Sequence, residues 1–455
     1  MQINLKSATL LGSVLLGGNV MAAVSPEEAA RLGQDLTPMG AEMAANADGT
    51  IPAWTGEMIT PPASFKPGDG KRPLPWPEEK PVVSITKANM GEQADKLTDG
   101  TRALLEQYGD AGFRVDVYPT HRSLGQAPQW VHDATAYNAA NATLEADGLK
   151  LANARAGLPF PIPQSGLEVM WNHLLRWQGT HYEGQYDNYY MDKGGNPVLS
   201  STAIITNERP YYNPDKDYGV KDALAMLRLD FSAPARRAGE KQLVIDPTDF
   251  SGGGRKAWQY LKGQRRVRQA PTIAFDSPNP GNSGMATYDD GFLFNGSPER
   301  YDWKLIGKRE LYIPYNSSEL VFYTKPEVVM GRKFINPDVV RWELHRVWVV
   351  EANLKEGERH IYQRRVFYVD EDSWAAVASE AYDVSGDLWR VGFAYTTPLY
   401  DVPALALVSQ GHYDLLTGTY YLGGLVEPYY GLKTDVEQKP ARYFTAQGLS
   451  KSGIR

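Results

Sequence analysis

Hydrophobic positions change their period part-way along this chain. Up to about residue 177 they recur at helical spacing between irregular stretches; beyond it they alternate with polar ones. Ser25-Pro26-Glu27-Glu28 reads as a helix start, with Ser as N-cap, Pro at the first position and Glu closing a capping box. Ala29, Leu32, Leu36 and Met39 extend its apolar face. Met90, Ala94, Leu97, Leu104 and Leu105 predict a helix over 88–108, weakened by Gly100, and an Ala- and Asn-rich run predicts another over 134–153. The rigid Gly157-Leu158-Pro159-Phe160-Pro161-Ile162-Pro163 run excludes helix. Ser165 then caps a helix over 166–177, whose stripe is Leu167, Met170, Trp171, Leu174 and Leu175. Strands follow at 186–191, 198–207, 223–232, 242–246, 256–268, 301–312 and 319–323.

The clearest pattern runs over 339–395. Val340, Trp342, Leu344, Trp348 and Val350 face one way, while Arg341, Glu343 and His345 face the other. Polar turns at 355–358, 370–373 and 385–387 separate it from strands at 361–369, 374–382 and 388–395. This predicts an antiparallel meander with one face buried and the other wet or lining a cavity. Before the strands, the proline-rich stretch 46–81 reads as an extended arm anchored by Trp54, Phe65 and Trp76. No fixed-period repeat or long linker divides the chain. The expected organisation is a signal peptide over 1–23, a helical and proline-rich covering region over 24–165, and an antiparallel half-barrel over 166–455, the last two forming one unit.

The signal reading rests on Lys6, a small apolar run from Ala8 to Val20, and Val20-Met21-Ala22-Ala23 as a cleavage site. That run is too short for a bilayer span. Among 455 residues there is no cysteine, which removes disulfides, thiolate chemistry and lipid attachment through cysteine. The expected location is therefore the periplasm, without lipidation. A net charge of −7 argues against nucleic acid as the main partner. The 27 tyrosines and 11 tryptophans suit strands, interfaces and half-wet clefts.

Candidate chemistry is sparse. The histidines at 121, 132, 173, 181, 345, 360 and 412 lack compact metal-ligand spacing, so neither a metal nor a cofactor is implied. Asn213-x-Asp215-x-Asp217 departs from a calcium loop, Ser251-Gly252-Gly253-Gly254-Arg255-Lys256 departs from a phosphate loop, and no nucleophile elbow occurs. Asp370-Glu371-Asp372 reads as a solvated hairpin end. Around Arg265, Arg266 and Arg268 the chain is basic with no acid nearby in sequence, which suits either an acidic partner or the wet face of an edge strand. Trp171, His173 and Arg176 cluster beside the proline run and, with Trp342, Trp348 and Trp389 of the meander, are candidate ligand-lining residues. The alternative for the first group is structural: Trp171 and Trp177 seal the helix onto the sheet, and Asn172 and His173 tie down the loop.

Several stretches taken together resemble a family of uncharacterised Gram-negative periplasmic proteins described as similar to the lipoprotein-sorting proteins LolA and LolB. They include Asn46-Ala47-Asp48-Gly49-Thr50-Ile51-Pro52-Ala53-Trp54, Val117-Tyr118-Pro119-Thr120-His121-Arg122 and Trp171-Asn172-His173. Gly263-Gln264-Arg265-Arg266-Val267-Arg268, Asp302-Trp303-Lys304-Leu305-Ile306-Gly307-Lys308 and Leu388-Trp389-Arg390 complete the set. The resemblance implies an α+β, mostly antiparallel fold: a curled incomplete barrel holding an apolar ligand under covering helices. It also implies an outer-membrane protein or a resistance-nodulation-type exporter as partner, and supplies no catalytic residues. The leading expectation is a non-enzymatic carrier or chaperone for a lipid or lipoprotein acyl chain. A glycan-active or glycan-binding protein and a transporter scaffold are the alternatives.

Overall fold

The computed structural model describes residues 23–57, 59–122, 127–218, 222–271, 273, 275–426 and 429–452. All of the expected signal peptide except Ala23 lies outside them. From residue 181 onward, strands rich in Tyr, Val, Ile and Leu dominate, as such side chains fit a pleated surface. In chain order the long strands are β1 (His181–Met191), β2 (Pro197–Glu208), β3 (Ala223–Ala233), β4 (Lys241–Pro247), β5 (Lys256–Leu261) and β6 (Arg266–Gln269). Then come β7 (Tyr301–Pro314), β8 (Trp342–Leu354), β9 (Arg364–Asp370), β10 (Ala376–Tyr382), β11 (Leu388–Leu399), β12 (Ala404–Asp414) and β13 (Thr419–Val426).

They join one sixteen-stranded sheet, in which β7 to β13 run side by side and β13 pairs antiparallel with β1, followed by β2 to β6. Among the described residues β6 and β7 do not pair with each other, so the curled sheet is not closed into a barrel. The short strands Val83–Ile85 and Val115–Val117 attach through one parallel bridge between Val117 and Trp342. At the junction of the two sheet halves Gly423 and Gly424 form a bulge opposite β1, where the register shifts between Leu422 and Leu425. Gly424 has φ +82°, and a Cβ there would sit 2.3 Å from the Val408 carbonyl oxygen, so only glycine fits.

The covering helices come from the first part of the chain: α1 (Asp99–Tyr108), α2 (Gln129–Asn141) and α3 (Gly166–Leu175). Thr98 caps α1 by accepting from the Thr101 N–H at 3.0 Å, which ends the preceding 3-10 turn Met90–Lys96. Gly100 lies inside α1, where a Cβ would meet Val391 at 2.6 Å; the missing side chain lets the helix approach β11. Helix α3 packs on β7 and β8. Its N-cap, Ser165, accepts from the Glu168 N–H at 3.2 Å. The proline-rich arm is held as expected: Trp76 stacks on His121 at 3.5 Å and Phe65 meets Tyr400 edge-on.

Several expectations change. The capping box at Ser25 forms, yet the helix stops after Pro26–Ala29. Helix α2 ends at Asn141, and a small hairpin, Thr143–Glu145 with Lys150–Ala152, replaces the rest of the predicted helix. The apolar run Glu319–Tyr323 is a π-helical turn instead of a strand, an ambiguity inherent in short apolar runs. The meander is buried on both faces: β10 is buried throughout and β11 from Arg390 onward. Its second face is covered by α1, whose Gly100 N–H donates to Glu380 at 2.6 Å.

Candidate functional site

Partly buried side chains in β1 and β3 mark the part of the sheet that α1 to α3 leave open. There the concave side of β1 to β4, together with β12 and β13, encloses a cavity of about 180 Å³. Ile205, Leu227, Leu229, Phe231, Val244 and Leu407 supply apolar wall. Tyr288, Phe292 and Asn295, from the connection between β6 and β7, also line it. The strands put these side chains on one face because residues two apart share a face: Leu227, Leu229 and Phe231 follow one another along β3.

Polar groups at the wall are mostly occupied by one another. Asn188 donates to the Ser201 hydroxyl at 2.9 Å and accepts from the Gly424 N–H at 3.0 Å. Gln178 accepts from the Leu407 N–H at 3.3 Å. Arg255 also reaches the wall, but Asp246 holds its guanidinium at 2.6 and 3.0 Å. Burial raises the Tyr182 and Tyr186 hydroxyl pKa values, so both stay neutral and contribute hydrogen-bonding groups without charge. No Asp, Glu or His is among the described lining residues, so the paired acids of glycoside hydrolysis have no place on this wall.

None of the six ligand-lining candidates taken from sequence is among the described lining residues of this cavity. Trp171 is fully buried and donates to the Gly148 carbonyl at 2.9 Å. His173 bridges α3 to the sheet, with Nε2 at 2.9 Å from the Phe294 carbonyl and Nδ1 at 2.9 Å from the Ala376 N–H. Nδ1 therefore accepts and Nε2 donates, and burial with the nearby Arg176 charge pushes the ring pKa well down. Asn172 holds the proline run through the Phe160 N–H and C=O at 2.9 and 2.6 Å. Trp342 packs edge-on against Phe393 and Trp348 stacks on Trp374. Trp389 donates to Asp414 at 3.0 Å. Arg176 comes nearest: its guanidinium carbon lies 5.6 Å from the ring centre of Phe292, a lining residue. Arg265, Arg266 and Arg268 stand exposed where β5 turns into β6, at the free end of the sheet.

Sequence reading missed two buried ionic clusters that lock the meander. In one, Arg365 reaches Asp289 at 3.0 Å and Asp290 at 2.8 Å, and Tyr362 donates to Asp290. The other surrounds the supposedly solvated Asp370-Glu371-Asp372 turn, which is buried. Arg122 pairs with Asp372 at 2.6 Å, Arg346 with Glu371 at 3.2 Å, and His345 lies 3.3 Å from Glu343. Arg122 and Asp372 lie 250 positions apart and Arg365 and Asp289 76 apart, so no local motif announces these pairs. Burial raises the Glu343 pKa, but the His345 hydrogen bond and the Arg341 charge outweigh it and bring the value down to about 2.

Comparison with known proteins bears out the resemblance read from sequence. The uncharacterized protein PA3922 of Pseudomonas aeruginosa is 41% identical over 431 residues, which cover 91% of each chain. A solved DUF1329 family protein from Desulfovibrio piger matches at 16% identity and TM-score 0.41, over 60% of this chain and 92% of its own. The LolA superfamily protein NE2245 from Nitrosomonas europaea matches at 11% identity and TM-score 0.37, over 62% and 98% respectively. The chain belongs to the family described as protein of unknown function (DUF1329), whose sequence pattern matches residues 84–450.

Proposed function

We propose that this member of the DUF1329 family is a non-enzymatic carrier that shelters an apolar molecule or acyl chain in the cavity on β1 to β4. One observation carries the reading: the sheet keeps a hollow whose wall combines Leu, Ile, Val and Phe side chains with tyrosines and uncharged amides, with no acid among its described lining residues. Each methylene moved from water into such a wall contributes about 0.8 kcal/mol. The carrier works in the periplasm after export, and a delivery partner, an outer-membrane protein or an exporter, meets it at the free basic edge bearing Arg265, Arg266 and Arg268. Native mass spectrometry of protein purified from periplasm tests the reading. Lipid-sized adducts are expected on the native chain and should vanish in Leu229→Trp, whose indole fills the hollow while the circular-dichroism spectrum stays unchanged. Absence of adducts, combined with no uptake of an added long-chain alcohol, would overturn it.

A further inference from the structure

Among the described residues, buried arginines have acids beside them, with two exceptions. Arg72 pairs with Asp401 at 2.8 Å, Arg228 with Asp230 at 3.0 Å and Arg255 with Asp246 at 2.6 Å. Arg122 and Arg365 follow the same rule. Arg176 and Arg209 are 4% and 5% exposed, and no Asp or Glu acts on either guanidinium among the described residues. An unpaired buried charge is among the most expensive features a fold can retain.

Their hydrogen bonds go to the end of α3. Arg176 donates to the His173 carbonyl at 2.5 Å, and Arg209 donates to the carbonyls of Leu174 and Arg176 at 3.2 and 3.0 Å. A helix C-terminus offers about half a negative charge, against two full positive ones. Capping thus explains the contacts and leaves most of the charge unmatched. Both Nε groups are also buried without a hydrogen-bond partner. Burial and the Arg209 charge lower the Arg176 pKa to about 9, which leaves it protonated at neutral pH.

The unmatched pair borders the hollow. Phe292 lies under the Arg176 guanidinium, and Gln178, two residues further along the chain, lines the same cavity. Tyr182, another lining residue, lies near both arginines, whose charges act to lower its hydroxyl pKa against the larger effect of burial. Phe292 and Leu293 hold φ at +54° and +66°, a left-handed backbone that is strained for a bulky residue. The chain accepts that strain at a ring that meets both the cavity and the Arg176 guanidinium.

We propose that the cavity takes an acidic amphiphile, its chain along Leu227, Leu229 and Phe231 and its carboxylate or phosphate head at Arg176, with Arg209 behind. This rests on the carrier reading and narrows its cargo. The test is calorimetric titration of the full chain with dodecanol, dodecanoate, dodecyl phosphate and inorganic phosphate, repeated on Arg176→Met. A charged hydrogen bond to a buried guanidinium should make the two anionic chains bind about tenfold or more tighter than dodecanol. The better of the two identifies the head group, and R176M should bring both down to the dodecanol affinity. Equal affinities for all three chains in the native protein would overturn the charged-head inference and leave the carrier intact. No binding by any chain would overturn both. Inorganic phosphate binding as tightly as dodecyl phosphate would show an anion site with no use for the apolar wall, and would also overturn the inference.

Discussion

Strands β9 to β11 and strands β1 to β4 belong to one sheet but solve the burial problem differently. The first group is buried almost throughout, with α1 and the Tyr288–Leu293 segment packed on β10 and β11, and Arg365 locked to the acids Asp289 and Asp290. The second keeps many side chains of β1 and β3 only partly buried and leaves a hollow against its strands. A sheet of this size could pack both halves equally well. The difference says that one half supplies rigidity, while space is kept in the other at some expense of stability.

The largest test of that difference is in the filled half. Trp374 is 1% exposed and donates to the Met39 carbonyl at 2.9 Å. Trp374→Ala should lose about 3–5 kcal/mol in a denaturant melt. Arg365→Met strands Asp289 and Asp290 without their cation and should cost about 3 kcal/mol by the same measurement.

Acid should act on the filled half as well. The Glu343 pKa is lowered on folding, so its contribution is present above about 4.5 and is lost as pH falls towards about 2. Glu343→Gln should therefore flatten the acid limb of stability against pH across that window, by about 3 kcal/mol overall. An unchanged acid limb would show that the buried cluster is not what holds the meander. The smallest effect belongs to the hollow: Leu229→Ala, at a half-buried position, should cost less than about 1 kcal/mol. A loss matching Trp374→Ala would erase the distinction between the halves.

Sequence alternation located the meander because hydrogen-bonded strands there carry β-branched and aromatic residues between polar turns. It also placed the α3 cap at Ser165 and the arm anchors Phe65 and Trp76, all local signals. β12 and β13 escaped it: Gly411, Gly423 and Gly424 dilute their strand pattern, although the Gly424 bulge is what links the two halves. The hollow itself was expected beside Trp342, Trp348 and Trp389, where aromatic residues are dense. In the fold those rings spend their faces on Phe393, Trp374 and Tyr362. What lines the cavity are aliphatic residues, tyrosines and amides spread over β1 to β4, β12, β13 and the connection between β6 and β7, whose role depends on what the covering helices leave uncovered. No periodicity records that.

The most direct measurement is a crystal structure of the full chain soaked with a long-chain molecule brominated at its tail. The anomalous bromine peak is expected between Leu227, Phe231 and Val244, with β9 to β11 unchanged. A peak only on the outer surface, with the hollow closed over by the protein's own side chains, would contradict the division into a filled and a receiving half.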